Sequence, residues 1–149
     1  MSSSAPFGRL LTAMATAFND DGTVDLDGTA KIAAHLVANG SDGVVVSGTT
    51  GEAPTTTVPE DGEILRAVKD AVGGDAVVIA GVGTNSTAHS VELAEQAAKV
   101  AVDGVLLVTP YYNKPGQAGT LHHFRTVSEA TELPVMLYDV PGRTATLIE

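Results

Sequence analysis

Three short segments concentrate the side chains that could do chemistry. Gly48-Thr-Thr-Gly-Glu52 sets two hydroxyls between two glycines. Glycine lets a backbone approach a ligand closely, and amides and hydroxyls in such a loop can hold a carboxylate or a phosphate. Thr109-Pro-Tyr-Tyr-Asn-Lys-Pro115 brings together two of the chain's three tyrosines. If that stretch is extended, Tyr111 and Tyr112 point opposite ways, so one ring packs while the other serves a site or an interface. Tyr138-Asp-Val-Pro-Gly-Arg143 places the third tyrosine and an arginine around a Pro-Gly turn. A phenol can relay a proton, and a guanidinium can hold a carboxylate through two parallel hydrogen bonds. Taken one at a time, a tight turn, an aromatic plug and a loop salt bridge account for these residues as simply.

Each segment follows a short apolar run. The runs are Leu10 to Phe18, Gly43 to Val46, Val77 to Ala80, Gly104 to Val108 and Val135 to Tyr138. They are short and, from the second onward, rich in valine, as strands buried on both faces of a parallel sheet are. Helical patterns fill the gaps. Leu26, Ala30, Ala33 and Val37 share a face, and Asn39-Gly40 ends that helix. Thr57-Val-Pro-Glu60 reads as a capping box with an early proline. Leu93, Ala97 and Val100, with Ala94, Ala98 and Ala101, make the next apolar face, and Thr120 to Ala130 a weaker helix. Strand and helix thus alternate with a repeat of about 30 residues, which means a barrel or a doubly wound sheet. A complete (β/α)8 barrel takes about 250 residues and eight strands. The expectation is therefore α/β, a partial (β/α)8 barrel holding strands one to five with their helices. Residues 1–149 would be one portion of a single domain. A small flavodoxin-like domain is the competing architecture.

Composition narrows the function classes. The net charge of −10 opposes binding to nucleic acid or to anionic membrane surfaces. With no cysteine, disulfides, thiolate chemistry and cysteine-zinc sites are excluded. No signal peptide and no membrane helix is expected. Gly81-Val-Gly83 lacks the third glycine of a dinucleotide fingerprint, because position 86 is Ser86. Asp20-Asp-Gly-Thr-Val-Asp25 lacks the later glutamate of a calcium loop and reads as a solvated turn. His35, His89, His122 and His123 form no metal pattern and are expected at the surface, so neither a metal nor a cofactor is expected.

Together the three loops resemble the dihydrodipicolinate synthase family, within the N-acetylneuraminate lyase superfamily, and the resemblance runs from Gly8-Arg-Leu-Leu-Thr-Ala-Met14 to the end. It implies a lyase that condenses pyruvate with aspartate semialdehyde in bacterial lysine and diaminopimelate synthesis, in the cytoplasm. It implies a Schiff base between pyruvate and a lysine at the end of strand six. Thr49, Tyr112 and Tyr138 match the family's proton-relay triad. Thr50 matches a residue that, with backbone amides of its loop, holds the pyruvate carboxylate. Arg143 matches the arginine that guides the semialdehyde carboxylate. Tyr111 and Tyr112 match positions at a tight dimer interface, and the family is typically a tetramer of such dimers. Iminium formation acidifies the pyruvate methyl group, and a chain of hydroxyls can move the protons.

Departures from the pattern carry their own expectations. The lysine that forms the Schiff base would fall about twenty residues beyond Glu149, and the chain has only Lys31, Lys69, Lys99 and Lys114. The chain alone is therefore expected not to catalyse. Asn85 matches the family's lysine-feedback pocket, but His89 stands where an acidic ligand is frequent and Val58 where a histidine is frequent. Weak or no inhibition by lysine is expected. Asp139 replaces a frequent asparagine, a tolerated change. Two other functions compete: a different class I pyruvate aldolase of the superfamily, such as a sialic acid or keto-sugar acid lyase, and a non-catalytic half-barrel that assembles with a partner.

Overall fold

Four consecutive buried residues, Gly43-Val-Val-Val46, form strand β2. Only a strand covered on both faces tolerates such a run, and helices pack against this one. The computed structural model describes residues 6–149, and the chain divides after Ala80 into two units. The first holds β1 (Leu11–Ala13), α1 (Leu26–Ala38), β2 (Gly43–Val46), α2 (Val58–Val72) and β3 (Val77–Gly81), whose last residue falls in the second unit. β2 pairs in parallel with β1, Leu11 opposite Gly43, and with β3, Gly43 opposite Val77. A flavodoxin-like order would place the first strand between the second and third. Here the second strand lies between the first and third, so the competing architecture is rejected within this unit alone.

The helix boundaries follow from local chemistry. The Asp25 side chain accepts from the Gly28 amide at 2.8 Å and caps α1. At α2, the Thr57 hydroxyl accepts from the Glu60 amide while the Glu60 carboxylate takes the Thr57 amide at 2.7 Å, the expected capping box. Those Thr57 donors hold the Glu60 carboxyl below its ordinary range. β1 is shorter than the apolar run Leu10 to Phe18 led one to expect. After Ala13 the chain leaves the strand, and Phe18 reappears in an antiparallel bridge to Val24. Between them lies a turn in which the Asp21 carboxylate accepts from both the Thr23 amide and hydroxyl. The calcium-like segment is thus a self-bonded turn followed by a helix cap.

The second unit holds α3 (Thr87–Val100), β4 (Gly104–Val108), α4 (Gln117–Ser128), β5 (Val135–Tyr138) and a short α5 (Pro141–Thr144). β4 and β5 are parallel, Val105 opposite Val135 and Val108 opposite Tyr138. α3 buries Ser90, Leu93, Ala94 and Ala97, a stripe at i, i+3, i+4 and i+7. Ala98 and Ala101, expected on its apolar face, are exposed, and Ala101 is the left-handed residue that ends the helix.

His123 also departs from the sequence reading. Expected at the surface, it is 2% exposed, on the α4 stripe Thr120, His123, Phe124 and Val127. Its Nδ1 lies 2.9 Å from the Thr87 hydroxyl of α3, and its Nε2 is buried with no partner among the described residues. His122, one residue away, points to solvent. Burial pushes the His123 pKa below the ordinary value of 6.5, because charging the ring would cost its solvation. The unfolded chain then takes up this proton at a higher pH than the folded one. The stability His123 contributes is complete above pH 6.5 and falls as pH drops through that value toward the lower folded one. Urea midpoints at pH 7.5 and 5.5 should differ more in the wild type than in His123→Gln, and equal differences would contradict the assignment.

Candidate active site

The loop after β2 is built from an abrupt change of backbone direction. Ser47 adopts φ 53°, in the left-handed region, and Gly48 is extended. Thr49–Gly51 makes one 3-10 turn, and Glu52 is again left-handed at φ 59°. The underside is anchored by the Thr16 hydroxyl, which donates to the Gly51 carbonyl at 2.7 Å. A Cβ at Gly51 would lie 3.1 Å from both the Met14 carbonyl and the Thr16 hydroxyl, a tight contact that these neighbours would have to shift to relieve. Thr49 and Thr50 are exposed above the anchor. The amides of Gly51 and Glu52 bond inward to the Gly48 and Thr49 carbonyls, and that of Ala53 to Gly48. Sequence reading offered the amides and hydroxyls of this loop alike to an anion. Those three amides are engaged, whereas the amides that open the turn and the hydroxyls of the exposed Thr49 and Thr50 remain as donors.

The second unit presents the other candidates at strand carboxyl ends. Thr109 and Pro110 are buried, Tyr111 is half-buried and Tyr112 is 87% exposed. Tyr112 and Lys114 have φ of 73° and 47°, so this stretch is not extended as assumed. The rings still separate into one partly packed and one free in solvent. The Asn113 side chain donates to the Asn85 carbonyl at 3.0 Å, tying this loop to the one after β3. Left-handed backbone at a tyrosine costs about 1 kcal/mol or more, and such strain clusters at functional segments. Tyr138 ends β5 and is 43% exposed, and Arg143 lies exposed on α5.

Thr49 and Thr50 therefore share one loop of the first unit, and Tyr111, Tyr112, Tyr138 and Arg143 stand on two loops of the second. Sequence reasoning passed over Thr109. Its amide donates to the Tyr138 carbonyl at 3.3 Å, and its buried hydroxyl has no partner among the described residues. Among those residues no three His, Asp or Glu side chains are placed to hold a metal ion. No helix among them is long and apolar enough to cross a membrane.

The model of the dihydrodipicolinate synthetase family matches residues 6–149. The chain belongs to the dihydrodipicolinate synthetase family. Among its relatives, the 4-hydroxy-tetrahydrodipicolinate synthase of Acidothermus cellulolyticus is 63% identical over 145 residues, covering 97% of this chain and 47% of the relative. That of Cutibacterium acnes is 62% identical over 148 residues, covering 98% and 50%. The crystal structure of a dihydrodipicolinate synthase from Bacillus anthracis superposes with a TM-score of 0.93 at 47% identity, covering 96% of this chain and 49% of that one. The chain thus spans about half the length of the curated relatives it matches. The fold is the expected α/β class, five parallel strands with helices of the synthetase family's (β/α)8 barrel.

Proposed function

We propose that this chain carries the proton-relay and carboxylate-binding portion of a 4-hydroxy-tetrahydrodipicolinate synthase, the first part of one (β/α)8 domain. The reading is supported above all by the loop Gly48 to Glu52, which the Thr16 hydroxyl anchors from below and which presents the exposed Thr49 and Thr50. In this reading Thr50, with backbone amides of its loop, binds the pyruvate carboxylate. Thr49, Tyr112 and Tyr138 move protons to and from the carbinolamine formed on a lysine that this chain does not contain. Arg143 receives the carboxylate of aspartate semialdehyde, and Tyr111 and Tyr112 stand at a subunit interface of an oligomeric, cytoplasmic enzyme of lysine and diaminopimelate synthesis. Proton transfer by positioned side chains is worth roughly 10²–10⁴-fold in rate. No cofactor has a part in the scheme.

A chimera tests it, with this chain replacing the matching half of the Acidothermus cellulolyticus relative. The chimera should condense pyruvate with aspartate semialdehyde. Thr49→Val and Tyr138→Phe should each lower kcat roughly 100-fold or more, and lysine should inhibit weakly, given His89 and Val58. A folded chimera that cleaves N-acetylneuraminate or a keto-sugar acid instead would assign the chain to another aldolase of the superfamily. A second reading, assembly with a partner without catalysis, draws on β5, where Leu137 is 50% exposed. Self-association of an inactive chimera would favour it.

A further inference from the structure

Asp61 stands in the first turn of α2 and is 5% exposed, yet neither the capping box nor the proposed chemistry uses it. Its Oδ1 accepts from the Ser47 hydroxyl at 2.9 Å and from the Thr56 hydroxyl at 2.8 Å. Those two residues bracket the loop that bears Thr49 and Thr50. Ser47 is the left-handed residue at which the chain turns out of β2, and Thr56 is the last loop residue before the Thr57 cap.

We propose that Asp61 is a positioning residue: one buried carboxylate oxygen fastens both ends of the threonine loop and holds it in the conformation that presents Thr49 and Thr50. The physical case has three parts. A serine at φ 53° is disfavoured on its own, and a buried hydrogen bond to its side chain offsets that cost. A carboxylate accepts hydroxyl bonds more strongly than a neutral acceptor does. The N-terminal turn of a helix is a favourable place for a carboxylate, so α2 holds Asp61 at little expense while Glu60 closes its cap. The helix therefore starts where two adjacent acidic residues do separate work, Glu60 on Thr57 and Asp61 on Ser47 and Thr56. That the loop takes a carboxylate rests on the proposed function, but the clamp itself does not.

Amide hydrogen exchange on the chain tests the clamp without requiring catalysis. The amides of Gly51, Glu52 and Ala53 bond within the loop and report its opening. Asp61→Ala should speed their exchange at least tenfold while the central amides of β3, Val78 and Ile79, exchange as in the wild type. Asp61→Asn keeps an acceptor at the same place and should restore loop protection to within about threefold. Ser47→Ala and Thr56→Val each remove one donor and should show intermediate loosening, so the test survives if Asp61→Ala does not fold. Unchanged loop exchange in all these variants would overturn the proposal. So would equal acceleration in the loop and β3, which would make Asp61 a general core residue, or an asparagine variant as loose as alanine. A chimera that lacks synthase activity but shows the expected exchange pattern would remove the proposed function and leave the clamp standing.

Discussion

After incubation with pyruvate and reduction with borohydride, this chain should keep its unmodified mass. Trapping requires a lysine whose amine is uncharged often enough to attack the keto group, and enzymes secure this by burying the amine or placing it beside another cation. The chain has four lysines, and none lies at the carboxyl end of a strand. Lys31, Lys69 and Lys99 lie on α1, α2 and α3, and Lys114 lies in the tyrosine loop. Lys31, Lys99 and Lys114 are exposed, and Lys69 is only half-buried. Condensation of pyruvate with aspartate semialdehyde should likewise be undetectable with the chain alone. A single stoichiometric adduct, mapped to one lysine by peptide analysis, would overturn this and move the chemistry to that residue. Turnover by the chain that Thr49→Val abolished would do the same.

Gly83→Ala should be among the most destabilising single-methyl changes in the chain. Gly83 follows β3, where the neighbouring Val82 amide donates to the Leu106 carbonyl of β4 at 3.0 Å. A Cβ at position 83 would collide with the Val108 amide nitrogen and lie 2.7 Å from Val108 Cγ1 and 3.1 Å from its Cα. The side chain could rotate, but the backbone of β4 cannot yield without disturbing its pairing with β5. Overpacking of this kind costs about 3 kcal/mol. For a chain of this length that lowers the thermal midpoint by roughly 10 °C. Gly74→Ala serves as the control, because a Cβ there meets nothing within 4 Å. It should leave the midpoint unchanged or raise it slightly, by restricting the unfolded chain. Similar midpoints for the two variants would show that the second unit accommodates the methyl group.

What could be read from the sequence depended on how local its cause was. The boundary of α2 was legible because Thr57 and Glu60 cap each other across three residues. β2 and β4 were legible because strands covered on both faces leave unbroken apolar runs, and β5 keeps such a run although Leu137 and Tyr138 are exposed. β1 was overextended for the same reason. Met14 and Thr16 are buried beyond the end of β1, Met14 donating its amide to the Val45 carbonyl of β2 and Thr16 its hydroxyl to the Gly51 carbonyl, 35 residues away. His123 was misplaced because two adjacent histidines are equivalent until the phase of α4 is known. In the candidate site, the residue types of Thr49, Thr50, Tyr112, Tyr138 and Arg143 were visible. The left-handed turn at Tyr112 and the inward bonding of the Gly51 amide were not. Asp61 was invisible for a related reason: its bond to Ser47 spans 14 residues, and it looks like any acidic residue in the first turn of a helix.

Because β1 pairs with β2, β2 with β3 and β4 with β5, these strands meet the neighbours synthesised just before or after them. Each pairing closes a stretch of about thirty residues, and the entropy of closure grows only with the logarithm of that length. Contacts of such modest span favour assembly by accretion over a single long-range search. During synthesis, Gly43 can settle against Leu11 before Val77 has left the ribosome, and β3 then meets a template whose register is already fixed.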